Sequence, residues 1–252
     1  MEIFDLLTKR FGERFSKNLT THQSPNICYN SPIWVEPTKK CTDCAATKFR
    51  QDLPFWVNGI SKDFMVIAQD AGKGEEHDKL NSVFSIHRAY YEYDSYISEW
   101  KHRKYYEYLN TLMPLENFLE HTYFTDLIKC AFSTSRELKV EQCPCRFDIL
   151  TEIQNVKPKF VFLIGSKATN TLKNIFSERS VSYNPSREDI VFLINKKQTL
   201  KISAGTYQYP GIENIQFISV PQLGQNRFSN TGFENMKNEI VKNIQPLILS
   251  GL

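Results

Sequence analysis

One carboxylate follows an apolar stretch in a position suited to chemistry. Residues 64–68 are apolar and are typical of a short buried strand. The turn after them carries Asp70 with Gly72 and Gly74. In an open α/β sheet, ligands bind beyond the carboxyl ends of the strands, so Asp70 is a candidate catalytic acid. The alternative interpretation is an Asx-type turn that simply ends the strand.

The cysteines form a second candidate site. Six cysteines in a chain of this length are too few for a disulfide scaffold and indicate metal or cluster binding instead. Four of them suit a tetrahedral zinc ion or an iron–sulfur cluster: Cys41, Cys44, Cys130 and Cys145. Spacing alone leaves both cofactors open. Cys143 competes with Cys145 for the fourth place, and buried cysteines without a ligand are the remaining alternative.

The elements around these residues alternate between strands and helices. The apolar stretches typical of buried strands are 64–68, 123–128, 159–165 and 215–220, and 189–203 resembles a hairpin. Helical spacing or capping predicts helices near 100–112, 114–121, 145–156, 166–176 with Ser166 as its cap, and 231–249. This order predicts an α/β fold, a three-layer α/β/α sandwich on a central, mainly parallel sheet.

Aromatic and basic residues crowd the stretch 86–122, which includes Tyr105, Tyr106 and Tyr108 beside several lysines and arginines. Such a mixture could stack bases and contact phosphates. A solvated helix with its aromatic residues turned inward explains the pattern equally well.

Composition sets the broad class. The 252 residues are 41% hydrophobic and 13% aromatic, as in a globular protein, and the net charge of +3 is only mildly basic. No apolar run reaches the roughly 18 residues of a membrane span. We expect one domain over 1–252 in which residues 1–40 are an N-terminal helix and an irregular extension. We also expect a monomeric protein of the cytoplasm, without a membrane contact.

Several stretches together resemble the uracil-DNA glycosylase superfamily. They are 68–72 (AQDAG), 81–85 (NSVFS), 124–130 (FTDLIKC) and 156–168 (VKPKFVFLIGSKA). The four cysteines resemble those of the branch that carries a [4Fe-4S] cluster. The resemblance spans about 40–228 and implies a DNA glycosylase that flips a nucleotide out of duplex DNA.

The resemblance implies a role for each matching residue. Asp70 matches the aspartate that stabilises the sugar cation and positions the attacking water, and Phe84 matches the aromatic residue that stacks on the flipped base. Asp126 stands where an asparagine reads uracil, and Gln222 stands where a histidine donates to the base O2. Gln69 and Gly72 complete the base-binding set. The residues in the place of the wedge that enters the duplex are Asn226, Arg227 and Phe228.

Departures from the family pattern suggest an unusual substrate. An ionised carboxylate at Asp126 only accepts hydrogen bonds, so it would repel uracil O4 but accept a bond from the N4 amine of cytosine. Gly72 leaves space for a substituent on C5, where uracil-specific members often have a tyrosine. Gln222 donates to O2 without supplying a cation, which suits a base that carries its own proton.

These observations predict a monofunctional DNA glycosylase that leaves an abasic site. Its expected substrate is a C5-modified cytosine, such as the hydroxymethylcytosine of phage DNA or its glucosylated form, which would suit anti-phage defence. One alternative is a uracil-DNA glycosylase of base excision repair in which Asp126 is protonated. Another is a non-catalytic iron–sulfur DNA-binding module, and zinc remains the alternative cofactor.

Overall fold

The fold was analysed in a computed structural model. It describes residues 50–51, 63–70, 104–116, 118–128, 130–131, 148–195, 198–223 and 230–252. The predicted N-terminal helix and irregular extension, residues 1–40, lie outside this part of the chain.

Four parallel strands form the centre of the sheet. They are β2 (Phe64–Asp70), β3 (Thr122–Ile128), β5 (Phe160–Ile164) and β9 (Gln216–Val220). Their order across the sheet is β3-β2-β5-β9, and each neighbouring pair is parallel. All five residues of β5 are buried, as expected for an apolar strand covered on both faces.

Antiparallel strands extend this sheet beyond β9. They are β6 (Tyr183–Pro185), β7 (Ile190–Asn195) and β8 (Gln198–Tyr207). β8 pairs with β9, and both β6 and β7 pair with β8. A separate short pairing joins β1 (Arg50–Gln51) to β4 (Cys130–Ala131). We refer to β6, β7 and β8 together as the antiparallel extension.

Helices cover both faces of the sheet. They are α1 (Lys104–Leu112), α2 (Asp148–Val156), α3 (Gly165–Ser177), α4 (Asn230–Asn243) and α5 (Gln245–Gly251). Residues of α1, α4 and α5 share one core with β2, β5, β8 and β9. The opposite face meets α3, and α2 hydrogen-bonds to β3 there. The predicted three-layer α/β/α architecture is therefore confirmed.

Several local predictions were wrong. Instead of an α-helix over 114–121, the chain forms a short 3₁₀ helix, Phe118–His121. The C-terminal helix is two helices, because Pro246 lacks the N–H that would continue the hydrogen-bond ladder. Ser166 caps nothing: α3 begins one residue earlier, after Ile164, without a side-chain cap. Residues 177–187 contain strand β6 as well as a loop.

None of the helices in the described part of the chain is both long enough and apolar enough to cross a membrane.

Candidate functional site at the carboxyl edge of the sheet

The ends of the parallel strands align two predicted site residues. Ile67, Leu163 and Ser219 lie side by side in neighbouring strands. Asp70 is three residues beyond Ile67, and Gln222 is three residues beyond Ser219. Asp70 ends β2 and Gln222 follows the end of β9 by two residues, so both lie at the carboxyl edge of the sheet. Since neighbouring strands are about 4.8 Å apart and β5 lies between them, β2 and β9 are separated by about 10 Å.

Asp70 is the last residue of β2 rather than part of the following turn. The apolar stretch predicted a strand over 64–68, but pairing with β3 continues as far as Asp70, which lies opposite Ile128. Gln69, also within the strand, has a side chain only 9% exposed. The other two predicted base-binding residues of this region, Gly72 and Phe84, lie outside the described residues.

Asp126 lies in β3, directly opposite Ala68 of β2. Because side-chain positions alternate along a strand, residues 68 and 70 share one face, and residue 126 shares that face with them. The register therefore puts the two acidic positions on the same face, two rows apart at the same edge.

A buried carboxylate fixes β3 from the other face. Glu152 of α2 is fully buried, and its Oε2 accepts hydrogen bonds from the hydroxyls of Tyr123 (3.0 Å) and Thr125 (2.7 Å). Since Thr125 precedes Asp126, this contact holds the strand that carries the second acid. Glu152 was not among the residues predicted from the sequence.

Gln222 is held from two sides although it is itself exposed. It lies between buried Pro221 and half-buried Leu223. The hydroxyl of Tyr108 donates a buried hydrogen bond of 2.7 Å to the carbonyl oxygen of Pro221. On the other side lies Gly165, which has φ +87°, and a Cβ added there would lie 3.0 Å from the Gln222 Cβ. Glycine is therefore required both by the backbone and by the close approach.

The burial of Tyr108 decides between the two interpretations of the tyrosines in α1. Its side chain is fully buried, and Tyr105 and Tyr106 are half-buried, so these three tyrosines of α1 turn inward rather than form an open stacking surface. Burial, with a smaller contribution from Tyr105, raises the pKa of Tyr108 well above its ordinary value. The spacing of Tyr108 with the buried Leu112 would have indicated this inward face.

The first turn of α3 adds polar groups at the same edge. Ser166 and Lys167 are exposed there, next to Gly165 and therefore beside Gln222. Backbone N–H groups at the start of a helix favour anions, and a lysine adds positive charge. The first turn of α3 therefore adds positive potential to this edge of the sheet. Ser166 was predicted only as a helix cap, and Lys167 was not among the predicted site residues.

Of the predicted metal ligands, the described residues include Cys130 alone. It lies in β4 and pairs with Gln51, seven residues after Cys44 in the chain. Cys41, Cys44 and Cys145, with the competing Cys143, lie outside this part of the chain. Within the described ranges, no group of three or more His, Cys, Asp or Glu residues could hold a metal ion. The predicted wedge residues Asn226, Arg227 and Phe228 also lie outside the description.

Comparisons with known proteins identify the family. No curated protein matches the chain significantly. The family model described as "Uracil DNA glycosylase superfamily" matches residues 58–212, more than half of the chain. This span includes Asp70 and Asp126 and ends before Gln222. Members of this family are DNA glycosylases. On this match, and with the three-layer fold described above, the chain belongs to the uracil-DNA glycosylase superfamily.

Proposed function

We propose that the protein is a monofunctional DNA glycosylase that excises a C5-modified cytosine and leaves an abasic site. The observation that carries the proposal is the common carboxyl edge of the sheet, where β2 ends at Asp70, β9 ends two residues before Gln222, and Asp126 lies in the strand next to β2. Family membership supports the reaction class and the DNA substrate. The base preference rests on the residue type at position 126.

In the proposed reaction, water adds to the anomeric carbon of a flipped nucleotide and the base leaves with a proton. Asp70 stabilises the positive charge that develops on the sugar and orients the water. Gln222 donates to the base O2, and Phe84 stacks on the ring. Flipping the nucleotide costs a few kcal/mol, which contacts of the wedge residues Asn226, Arg227 and Phe228 would offset.

Base selection is assigned to Asp126. A carboxylate accepts a hydrogen bond from the cytosine N4 amine and has no donor for uracil O4. The mismatch with uracil costs about 1–3 kcal/mol, or roughly ten- to a hundredfold in rate. Cytosine N3 is also an acceptor, so either N3 or Asp126 carries a proton when the two are in contact. A base that is protonated on N3 is the better leaving group. Base release should therefore be faster on the acidic side of neutrality.

We further propose a [4Fe-4S] cluster bound by Cys41, Cys44, Cys130 and Cys145. The pairing of Gln51 with Cys130 is compatible with this set, since it brings the chain downstream of Cys44 alongside Cys130. Cys145 precedes α2, which is hydrogen-bonded to β3 through Glu152, and β3 ends two residues before Cys130. A bound cluster would supply structural order to these loops. Zinc is the alternative cofactor, and metal analysis of the purified protein distinguishes it from the cluster.

The test of function is base release from defined duplexes. Purified protein is incubated with DNA containing cytosine, uracil, hydroxymethylcytosine or its glucosylated form, and free base and alkali-labile sites are measured. We expect release of a modified cytosine, and a loss of about 10²–10⁴-fold in Asp70→Asn. Asp189→Asn is the matched control, because this exposed acid pairs with Lys201 in the antiparallel extension.

Two outcomes would contradict the proposal. Release of uracil alone by the wild-type protein would support the repair alternative, and tight DNA binding without any product would support a binding module. The variant Asp126→Asn should shift preference toward uracil by roughly ten- to a hundredfold. If that variant instead preferred cytosine, Asp126 would not select the base.

The cofactor and the biological role have their own tests. For the cluster we expect iron and acid-labile sulfide in equal amounts. Both should be lost in Cys44→Ser but retained in Cys28→Ser, since Cys28 is outside the proposed ligand set. Zinc without iron would contradict it. An anti-phage role predicts that cells producing the wild-type protein restrict phages with modified cytosine, whereas cells producing Asp70→Asn do not.

A further inference from the structure

Helix α1 contacts both ends of the segment that joins β9 to α4. The hydroxyl of Tyr108 donates to the carbonyl oxygen of Pro221, just after β9, at 2.7 Å. The Nζ of Lys104 donates to the Oδ1 of Asn230, the first residue of α4, at 2.9 Å. Residues four apart lie on the same side of a helix, so one side of α1 carries both contacts.

The Tyr108 contact is the more restrictive of the two. Both partners are buried, so water does not compete for the carbonyl oxygen of Pro221. The next residue, Gln222, lies against Gly165, so the peptide that joins Pro221 to Gln222 is confined between α1 and the start of α3. A displacement of this peptide would move Gln222 directly.

The Lys104 contact is exposed, but neighbouring residues support it. Lys104 Nζ lies 5.8 Å from the centroid of the Phe233 ring in the first turn of α4. Lys237 lies 4.9 Å from the same ring and pairs with Glu107 of α1 and with Glu234 of α4. The start of α4 is thereby attached to α1 at a fixed distance from Pro221.

We propose that Lys104 and Tyr108 form a brace, a pair of positioning residues that fixes both ends of the segment 221–230 and so holds Gln222 toward the substrate. The inference rests on the proposed function, in which Gln222 donates to the base O2. Neither brace residue needs to touch the substrate. Both ends of the β9–α4 connection are therefore bonded to the same helix.

A double-mutant cycle separates positioning from simple stability. In single-turnover base release, Tyr108→Phe should lower the maximal rate about tenfold while leaving the protein concentration that gives half of that rate unchanged, since the lost bond acts through Gln222. In a Gln222→Ala background, the same substitution should have no further effect. If Tyr108→Phe lowered the rate equally in both backgrounds, its role would be structural and the proposal would be wrong.

Hydrogen exchange tests the brace without relying on activity. Peptides covering 222–230 should exchange faster in Tyr108→Phe and in Lys104→Met than in the wild type. Gln245→Ala is the matched control, since it removes a hydrogen bond between α5 and the carbonyl oxygen of Thr111 in α1 but leaves both ends of the segment bonded. Unchanged exchange in both brace variants would overturn the proposal.

Other outcomes distinguish the inference from the proposed function. Faster exchange in the two brace variants, with no base released by the wild type from any duplex, would support the brace and contradict the glycosylase assignment. In Lys104→Met, exchange could stay unchanged while the slope of log binding constant against log salt concentration becomes shallower by about 0.9. Lys104 would then be a phosphate contact, and its place in the brace would be overturned.

Discussion

The two halves of the sheet differ in what their strand ends carry. In the parallel half, β2, β5 and β9 run the same way, so Asp70 and Gln222 lie at the same edge of the sheet. In the antiparallel extension, successive strands run in opposite directions, and none of the predicted site residues belongs to it. Parallel order gathers polar residues from distant parts of the sequence at one edge. Antiparallel order returns the chain locally and contributes packing.

Aromatic packing dominates the extension. The ring of Tyr207 stacks on Phe176 of α3 at a centroid distance of 4.0 Å and meets the edge of Phe217 at 5.0 Å. Tyr183 of β6 approaches Tyr207 at 5.0 Å. Gly205 has no room for a side chain, because a Cβ would lie 2.4 Å from the Tyr183 ring and 2.5 Å from the carbonyl oxygen of Asn184. The extension therefore stabilises β9 from outside the parallel half.

Removing the central ring of this packing should have the largest effect on stability. We expect Tyr207→Ala to lower the free energy of unfolding by about 3–5 kcal/mol, since it removes buried contacts with three other rings. At a low temperature, where the variant stays folded, the rate of base release per folded molecule should be unchanged. Urea unfolding and single-turnover assays measure the two quantities.

The control for this variant is Tyr209→Ala. Tyr209 is half-buried and meets Phe176 at a centroid distance of 5.9 Å, so its loss should cost much less. A rate that falls together with stability in fully folded Tyr207→Ala would break the distinction between the two halves. The extension would then have to act on the site as well as on the fold.

The sequence predicted the parallel half better than the extension. Runs such as 160–164 are apolar throughout because both faces of a parallel sheet are covered, and this pattern is easy to recognise. The hairpin of β7 and β8 was also predicted and is confirmed. Strand β6 was missed because its three residues, Tyr183–Pro185, are polar or exposed and pair at one end of β8. A short strand of this kind has no periodic signal.

The sequence predicted the residues of the candidate site, but it did not predict the residues that hold them in place. Asp70, Asp126 and Gln222 follow from motifs in the chain, whereas their roles remain predictions. Tyr108 and Glu152 act from helices on opposite faces of the sheet, and their partners are 113 and 27 residues away in the chain. Such long-range contacts depend on strand order and helix packing, which local sequence does not specify.

A substitution of Glu152 tests a buried contact of the parallel half. We expect Glu152→Gln to cost about 1–2 kcal/mol of unfolding free energy, since the amide has one acceptor oxygen instead of two and adds an NH₂ group at a fully buried position. Unlike Tyr207→Ala, this variant should also slow base release severalfold, because Thr125 adjoins Asp126. Gln154→Ala is the control on the same helix, where an exposed hydrogen bond to Pro210 is lost. Unchanged base release in Glu152→Gln would mean that the contact between α2 and β3 does not influence the site.

The smallest effect concerns alkaline pH, and it compares one tyrosine from each half. Burial raises the pKa of Tyr207, with a further contribution from Tyr183, and burial also raises the pKa of Tyr108. In the unfolded chain both hydroxyls ionise near pH 10, whereas the folded protein keeps them neutral. The folded state therefore holds more protons above about pH 10, and its stability falls as the pH rises through that range.

Each tyrosine should steepen this fall by up to about 1.4 kcal/mol per pH unit. Urea unfolding between about pH 8 and pH 11 should show a shallower decline for both Tyr207→Phe and Tyr108→Phe than for the wild type. At neutral pH, however, we expect only Tyr108→Phe to change base release, because its hydroxyl holds Pro221 beside Gln222. Equal losses of base release in the two variants would mean that the chemistry does not belong to the parallel half alone.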